Sequence, residues 1–388
     1  MPLHVASLED IRSGRVTDVY FDRTRQILEA KRIRKRVRAE FVAKTLPDGW
    51  PWAILAGIEE CVAVLEGFPV NVRSMSEGRA FRPLQPVLEI EGPYLEFGVL
   101  ETAVLGLLCQ ASGVATRAAR CKRLAGERLL LSFGARRMHP TLAPMIERAA
   151  FIGGCDGVSV LAAADLVRHD PTGTMPHALI LILGDTVAAA RAFDEVIAPD
   201  VPRVVLIDTL HDEKFEALAV AEALGQRVQG LRLDTPGSRR GDFAQILREV
   251  RWELDIRGYK HLQLYVSGGI AEREIAELVP YAQGFGVGTC ISNAPVVDFA
   301  MDIIEVEGQP FAKRGKWAGA KQVWRCSRCG QDEVLPLDAD GAPCPCGGSR
   351  EALLQSLLQE GRPVAELPNP SLIRELVLAQ LRQLPLEP

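Results

Sequence analysis

LRLDTPGSRRGDFAQILREVRWELDIRGYKHLQLYVSGG (231–269) holds one full cycle of the chain's architecture. An apolar run ends in a Pro-Gly turn. GDFAQILREVRWELDIRG then spaces its apolar residues at helical intervals, and HLQLYVS restores a strand pattern before closing on Gly268 and Gly269. The cycle repeats in both directions. Further strand candidates are RLLLSF (128–133), a short one near DGVSV (156–160), PRVVLID (202–208), VQGLRLD (228–234) and GFGVGT (284–289), and HDEKFEALAVAEALG (211–225) is another amphipathic stretch. Strands alternating with helices predict parallel βα units, and six in succession predict a (β/α) barrel or a doubly wound sheet.

The strand ends favour the barrel. Read in order they are FGARR, DGVS, IDT, LDT, SGG and GVGT, which deliver Asp, Arg, Thr and Gly to one rim. That rim is where barrel enzymes place their chemistry. At any one strand the same residues could merely mark a turn. Ser267, Gly268 and Gly269, then Gly286, Gly288 and Thr289, form two glycine turns whose amides can approach a phosphate closely. Arg232 and Asp234 lie two apart and point to the same side: Asp234 suits ribose hydroxyls or Mg²⁺, Arg232 suits phosphate or carboxylate, and an internal ion pair is the alternative. Asp208 offers a second acidic position. SFGARRMHP (132–140) places Phe133, able to stack on a planar ring, beside Arg136 and Arg137, which suit carboxylates. GTMPHA (173–178) brings His177 after the turn at Thr174, where a histidine can transfer a proton, accept a phosphoryl group, or serve structure alone.

Outward from the barrel, residues 1–115 read as a mixed α/β domain that ends in a long apolar-faced helix (101–127). IIEVEGQPFAKRGK (303–316) suggests two strands returning to it, so that about 300–320 joins the N-terminal domain, with the barrel over 116–299 and a small module over 321–388. The 388 residues fit such a division, and 47% apolar with 24% charged residues excludes a disordered chain. A net charge of −5 (45 basic, 50 acidic) argues against bulk attraction to nucleic acid. No uninterrupted apolar run has the roughly 18 residues of a membrane helix, HALILIL being broken by Gly184 and Asp185. The N-terminal stretch lacks a signal core, so a cytoplasmic location is expected. KRIRKRVR (31–38) reads as a solvated helix face, or as a nucleic-acid contact.

Taken together, FGARRMHP, FIGGCDGVS (151–159), GTMPHALI (173–180), LRLDTPGSRRG and VSGG in this order resemble the nicotinate phosphoribosyltransferases, in their short form with a zinc-binding tail. The resemblance runs from SGRVTDVYFDRT (13–24) to the C-terminal helix. It implies a type II phosphoribosyltransferase fold: an α/β N-terminal domain, an irregular (β/α) barrel and a small zinc-binding C-terminal domain. It also implies the reaction of nicotinate with phosphoribosyl pyrophosphate and Mg²⁺, giving nicotinate mononucleotide, with ATP as co-substrate through a phosphorylated histidine. By the resemblance, Phe133 stacks on the pyridine ring, Arg136 lies by its carboxylate, and Tyr20 closes the sandwich from the neighbouring subunit of a homodimer. Asp234 holds the ribose hydroxyls, Arg232 and the glycine turns hold phosphates, Asp156 lies near the base, His177 matches the phosphorylated histidine and Lys313 reaches the pyrophosphate. Ala178 stands where relatives coupled to ATP more often carry a small hydroxyl residue. Quinolinate phosphoribosyltransferase is the enzyme alternative, since LETAVLGLLCQASGVATRAAR (100–120) resembles that family's long helix.

Five of the nine cysteines, Cys61, Cys109, Cys121, Cys155 and Cys290, are scattered in apolar or small-residue surroundings and read as core thiols. The other four form CSRC (326–329) and CPC (344–346), with 14 residues between the pairs. Cys326, Cys329, Cys344 and Cys346 thus predict a closed, structural Cys₄ zinc site, although the second knuckle is one residue shorter than CxxC. A zinc ribbon beside KRIRKRVR is also the pattern of a nucleic-acid-binding protein, a reading that leaves the rim motifs unexplained.

Overall fold

All but one of the strand candidates between 128 and 290 form parallel strands. The computed structural model describes residues 3–239 and 241–386; Arg240, at the end of the LRLDTPGSRR stretch, lies outside them. The sheet runs Leu129–Ser132, Gly284–Val287, Gln263–Val266, Gly230–Leu233, Val204–Leu206 in space, with Leu131 opposite Gly286 and Leu231 opposite both Leu264 and Val205. Helices lie between the strands in sequence; Asp212 and Asp242 cap Glu213–Leu224 and Phe243–Ile256 by accepting from backbone amides in the first turn.

The exception is DGVSV. It makes a single parallel bridge, Gly157 to Leu131, because its polar groups go elsewhere. The Val158 carbonyl accepts from the Thr172 amide (2.7 Å), and the Ser159 amide donates to the Glu147 carboxylate (2.7 Å). Among the described residues no strand joins this bridge to Val204–Leu206, so the barrel is irregular and open on one side. Glycines thin its inner wall. A Cβ on Gly230 or Gly284 would stand 2.4 or 2.7 Å from the Tyr265 ring, and one on Gly286 would stand 2.4 Å from the Phe133 ring.

Arg117–Ala294 is one unit of the chain; the remaining described residues form the other. This other unit, the first in chain order, is built on a seven-stranded antiparallel sheet. Arg36–Ala43 pairs with Pro86–Pro93 on one side and on the other with Phe299–Val306, which comes from the C-terminal part and carries Gln309–Pro310 at its edge, as IIEVEGQP suggested. Gln355–Gln359 adds to Asn71–Ser74. The KRIRKRVR run is not a helix face: the helix Val19–Ala30 ends before it, and Arg36 and Arg38 are in a strand. The pleat places Arg38 against Glu89, Glu91 and Glu305, while Lys31, Arg32, Arg34, Lys35 and Arg36 stay exposed.

The Glu101–Ala125 helix amends the membrane expectation. Together with the turns before it, 94–125 has the length and mean apolar composition to cross a bilayer, which counting uninterrupted runs overlooked. A core helix meets the same criterion, and Val104, Leu108, Ala111, Val114 and Ala115 are all buried.

The cysteine module is a three-stranded sheet of Lys321–Cys326, Asp332–Pro336 and Arg350–Ala352. Asp332, with 4% side-chain exposure, is paired with Arg325 and Arg82 and accepts from Gln85. The helix Pro370–Leu381 is capped by Asn369 and reaches the Ala80 amide and the Gly78 carbonyl through Gln380.

Candidate active site and candidate metal centre

The end of Leu129–Ser132 delivers Phe133, whose amide donates to the Val287 carbonyl (2.9 Å). Gly134 follows because a Cβ there would lie 2.5 Å from Ser292, and the tight turn Ala135–Arg137 then displays Arg136 and Arg137 to solvent. Arg232, from the strand three places along the sheet, lies with its guanidinium carbon 5.8 Å from the Phe133 ring centre. It donates to the Met175 carbonyl (3.0 Å) and contacts Ser267 Oγ (3.5 Å). Burial lowers its pKa, opposed by Asp234 and Asp208. The paired ring and guanidinium make a flat apolar and cationic wall.

His177 opens the helix His177–Leu183 behind Pro176, whose fixed φ suits the position before a first turn. Its Nε2 faces Asp208 Oδ1 at 3.3 Å and its Nδ1 faces Asp234 Oδ2 at 3.9 Å. Asp208 is 2% exposed, and its other oxygen accepts from the Asp234 amide (2.7 Å) and Thr235 Oγ1 (3.3 Å). Burial pushes its pKa up, restrained by the Asp234 amide and by His177. An imidazole facing two carboxylates is placed to transfer a proton or accept a phosphoryl group.

Gly268 and Gly269 take φ of +81° and +70°, conformations that disfavour a side chain, and a Cβ on Gly268 would strike the Asp234 carbonyl at 2.6 Å. Two cavities meet here. One, of about 540 Å³, runs from Phe133 and Arg232 along Arg136 and Arg137 to Ser267, Gly268, Gly269, Gly286, Gly288 and Thr289. The other, of about 320 Å³, runs from Phe133, Arg136 and Arg232 to Thr174, Ser159 and His177; Asp234 lines both. One arm therefore offers cations and glycine amides, the other a histidine between carboxylates, with a flat wall where they join. That combination can hold a planar anion next to a phosphorylated sugar.

Most of the residues expected at the rim are brought together, and three are not. Asp156 lines neither cavity; its carboxylate accepts from Lys122 Nζ and the Leu130 amide, both at 2.8 Å, and pins the chain beside the strand. Tyr20 and Lys313 belong to the other unit: Tyr20 Oη donates to Asp18 (3.3 Å) and Lys313 Nζ lies 2.6 Å from the buried Asp302. Sequence reasoning passed over Glu147. This fully buried carboxylate accepts from Ser132 Oγ (2.6 Å) and from the Ser159 amide and Oγ (2.7 and 3.2 Å), joining the root of Phe133 to the wall of the smaller cavity. Its signal was a Glu on the apolar face of APMIERAAFI (143–152).

Cys326, Cys329, Cys344 and Cys346 converge with all four sulfurs within 4.8 Å of one another; Cys326 to Cys346 is 3.4 Å and Cys329 to Cys344 is 3.6 Å. Four bonds of about 2.3 Å to a tetrahedral Zn²⁺ set sulfurs about 3.8 Å apart, so the cluster fits that ion, short knuckle included.

The quinolinate phosphoribosyl transferase N-terminal domain matches residues 18–112, and the C-terminal domain of the same family matches residues 114–302. A nicotinate phosphoribosyltransferase of Mycobacterium tuberculosis is 30% identical over 390 aligned residues, covering 89% of this chain and 85% of that protein. Among solved structures, a nicotinate-nucleotide pyrophosphorylase from Pyrococcus furiosus is similar over 100% of both chains, at 51% identity and a TM-score of 0.97. The human nicotinic acid phosphoribosyltransferase shares the fold at 22% identity and a TM-score of 0.75, covering 95% of this chain and 94% of that one.

Proposed function

The chain is an enzyme of the nicotinate phosphoribosyltransferase family, within the type II phosphoribosyltransferases, and we propose that it condenses nicotinate with phosphoribosyl pyrophosphate, with ATP coupled through His177. In this reading nicotinate stacks on Phe133 with its carboxylate toward Arg136 and Arg137. The 5-phosphate and the pyrophosphate occupy the glycine turns at 267–269 and 286–289, and Asp234 holds the ribose hydroxyls. Asp234 would help to hold Mg²⁺ arriving with phosphoribosyl pyrophosphate, and that ion would supply counter-charge for the departing pyrophosphate. The pyridine nitrogen attacks the ribose C1, the C1–O bond to pyrophosphate breaks, and the charge that develops on the leaving group falls on Arg232 and the amides. No side chain needs to become a covalent carrier of the sugar. Tyr20 and Lys313 enter, in this reading, through assembly as a homodimer. The four cysteines hold a structural zinc.

The observation that carries the proposal is His177 between Asp208 and Asp234, one cavity wall away from the Phe133–Arg232 stack. Transfer of the ATP γ-phosphoryl group to the imidazole, releasing ADP, is the step this setting serves. Its hydrolysis to phosphate then couples ATP to turnover. The second reading, a quinolinate-using enzyme, is favoured by the description of the Pyrococcus furiosus relative. Against it, quinolinate brings a second carboxylate to be met, and decarboxylation gives His177 no task.

Product analysis with phosphoribosyl pyrophosphate and each of nicotinate, quinolinate and nicotinamide, with and without ATP, decides between them. Nicotinate mononucleotide formed from nicotinate, faster with ATP, is expected; conversion of quinolinate alone overturns the reading. In His177→Ala, ATP stimulation is lost and a slow ATP-independent turnover persists. Undiminished stimulation in that variant removes the role given to His177.

A further inference from the structure

We propose that the interior of the barrel, below Phe133, is a second binding site, one that takes a neutral, planar, apolar molecule entering from the side where the sheet does not close. A closed barrel of this size is filled by layers of branched side chains. Here Gly230 and Gly284 flank the Tyr265 ring and Gly286 lies against Phe133, so two rings are held toward one wall and three inward positions contribute no side chain. What remains is a cavity of about 460 Å³, walled by Leu129, Leu131, Val204 and Tyr265 with Phe133 above. It falls within the roughly 300–1,000 Å³ of small-molecule sites, and dry apolar cavities of only about 150 Å³ bind benzene.

The mouth follows from the missing strand. Between the Gly157 bridge and Val204–Leu206 the wall is made of the loops at 169–174 and 198–202. The second loop is held open by Arg203, whose buried guanidinium donates to the carbonyls of Ala198 (2.7 Å), Val201 (2.5 Å) and Ile197 (2.6 Å). Asp170 and Asp200, both exposed, stand at the mouth and disfavour an anion, while Arg232 at the inner end disfavours a cation. Arg232 also sets the one polar requirement. Its Nε is buried with no hydrogen-bond partner among the described residues, so one acceptor atom on the occupant would satisfy it.

Phe133, Arg232 and Thr174 line this cavity and the smaller rim cavity alike. An occupant therefore presses on the underside of the ring on which, in the function proposed above, nicotinate stacks.

The test uses the whole purified protein and the neutral fluorescent arene N-phenyl-1-naphthylamine. Saturable binding at one site per chain is expected. Ala198→Trp, an exposed substitution at the mouth, and Leu129→Trp, which fills the cavity from its wall, each weaken it about tenfold or more. Absence of saturable binding, or binding unchanged in both variants, overturns the proposal. The bound arene also raises the apparent KM for nicotinate, and an unchanged KM overturns the link through Phe133. The binding measurement needs no turnover, so failure of the nicotinate assay would count against the proposed reaction and leave the site standing or falling on fluorescence.

Discussion

The chemistry of the rim is concentrated in a few side chains whose partners are already fixed. Asp208 holds the Asp234 amide and Thr235 with one oxygen and faces His177 with the other, while Thr235 donates onward to Glu213 (2.5 Å). A residue so placed presents a carboxylate oxygen to the imidazole, 3.3 Å away, and lines neither rim cavity. Asp208→Asn keeps the shape but removes the negative charge facing Nε2. The expected result is a loss of ATP-stimulated turnover of about 10²–10³-fold, the usual cost of removing one electrostatic partner from a developing charge. Turnover without ATP should change little. Steady-state rates with and without ATP check this, and equal losses in both would make Asp208 a structural residue only. These groups were legible in IDTLHDE and GTMPHA because polar residues recur at successive strand ends along one rim, a recurrence that turn-marking alone does not require. Asp156 in FIGGCDGVS looks the same in sequence, yet it pins a chain crossing beside Leu130, a choice made by Lys122 from a distant helix.

At the scale of elements, alternation and turn chemistry revealed five parallel strands, because each strand is mostly apolar and is followed within two residues by Gly or Asp. The DGVSV strand failed for a reason no local pattern carries: Glu147, on a separate helix, takes the amide that a neighbouring strand would have used. The opening of the barrel thus goes with one buried carboxylate and with the Thr172 amide, which takes the Val158 carbonyl. Another carboxylate begins the Glu101–Ala125 helix. Burial, reinforced by Asp302 and Asp18 and opposed by Lys313, pushes the Glu101 pKa up to about 7, where an unperturbed carboxyl lies at 4.5. Since the folded protein then holds this proton more tightly than the unfolded chain does, the contribution is fully present below pH 4.5 and is lost as pH rises through 7. Glu101→Gln removes the titration. Its melting temperature should exceed that of the parent protein at pH 8, with the difference shrinking toward pH 5. Thermal unfolding at the two pH values measures this, and a difference independent of pH would mean that Glu101 is not the group responsible.

For the whole molecule, the C-terminal segment is part of the first unit and not an appendage to it. Val323, Leu353, Leu354 and Leu358 share a core with Val37, Phe41, Val72 and Leu88, and Gln355–Gln359 extends the N-terminal sheet. Between them, the cysteine cluster closes a sheet whose strands are short and whose cysteine knuckles have little apolar residue content of their own. In such modules metal binding is itself folding free energy. Loss of the ion should therefore reach beyond the knuckles into the core they share with the N-terminal strands, while the parallel sheet of Arg117–Ala294 has its own core residues. Protein purified without chelator is expected to carry one zinc per chain. Cys326→Ser, or prolonged treatment with a strong chelator, should remove it and lower the first of two calorimetric transitions, leaving the second in place. Metal analysis together with calorimetry tests both parts. Zinc lost with both transitions unchanged would show that the cluster binds the ion without using it to hold the first unit together.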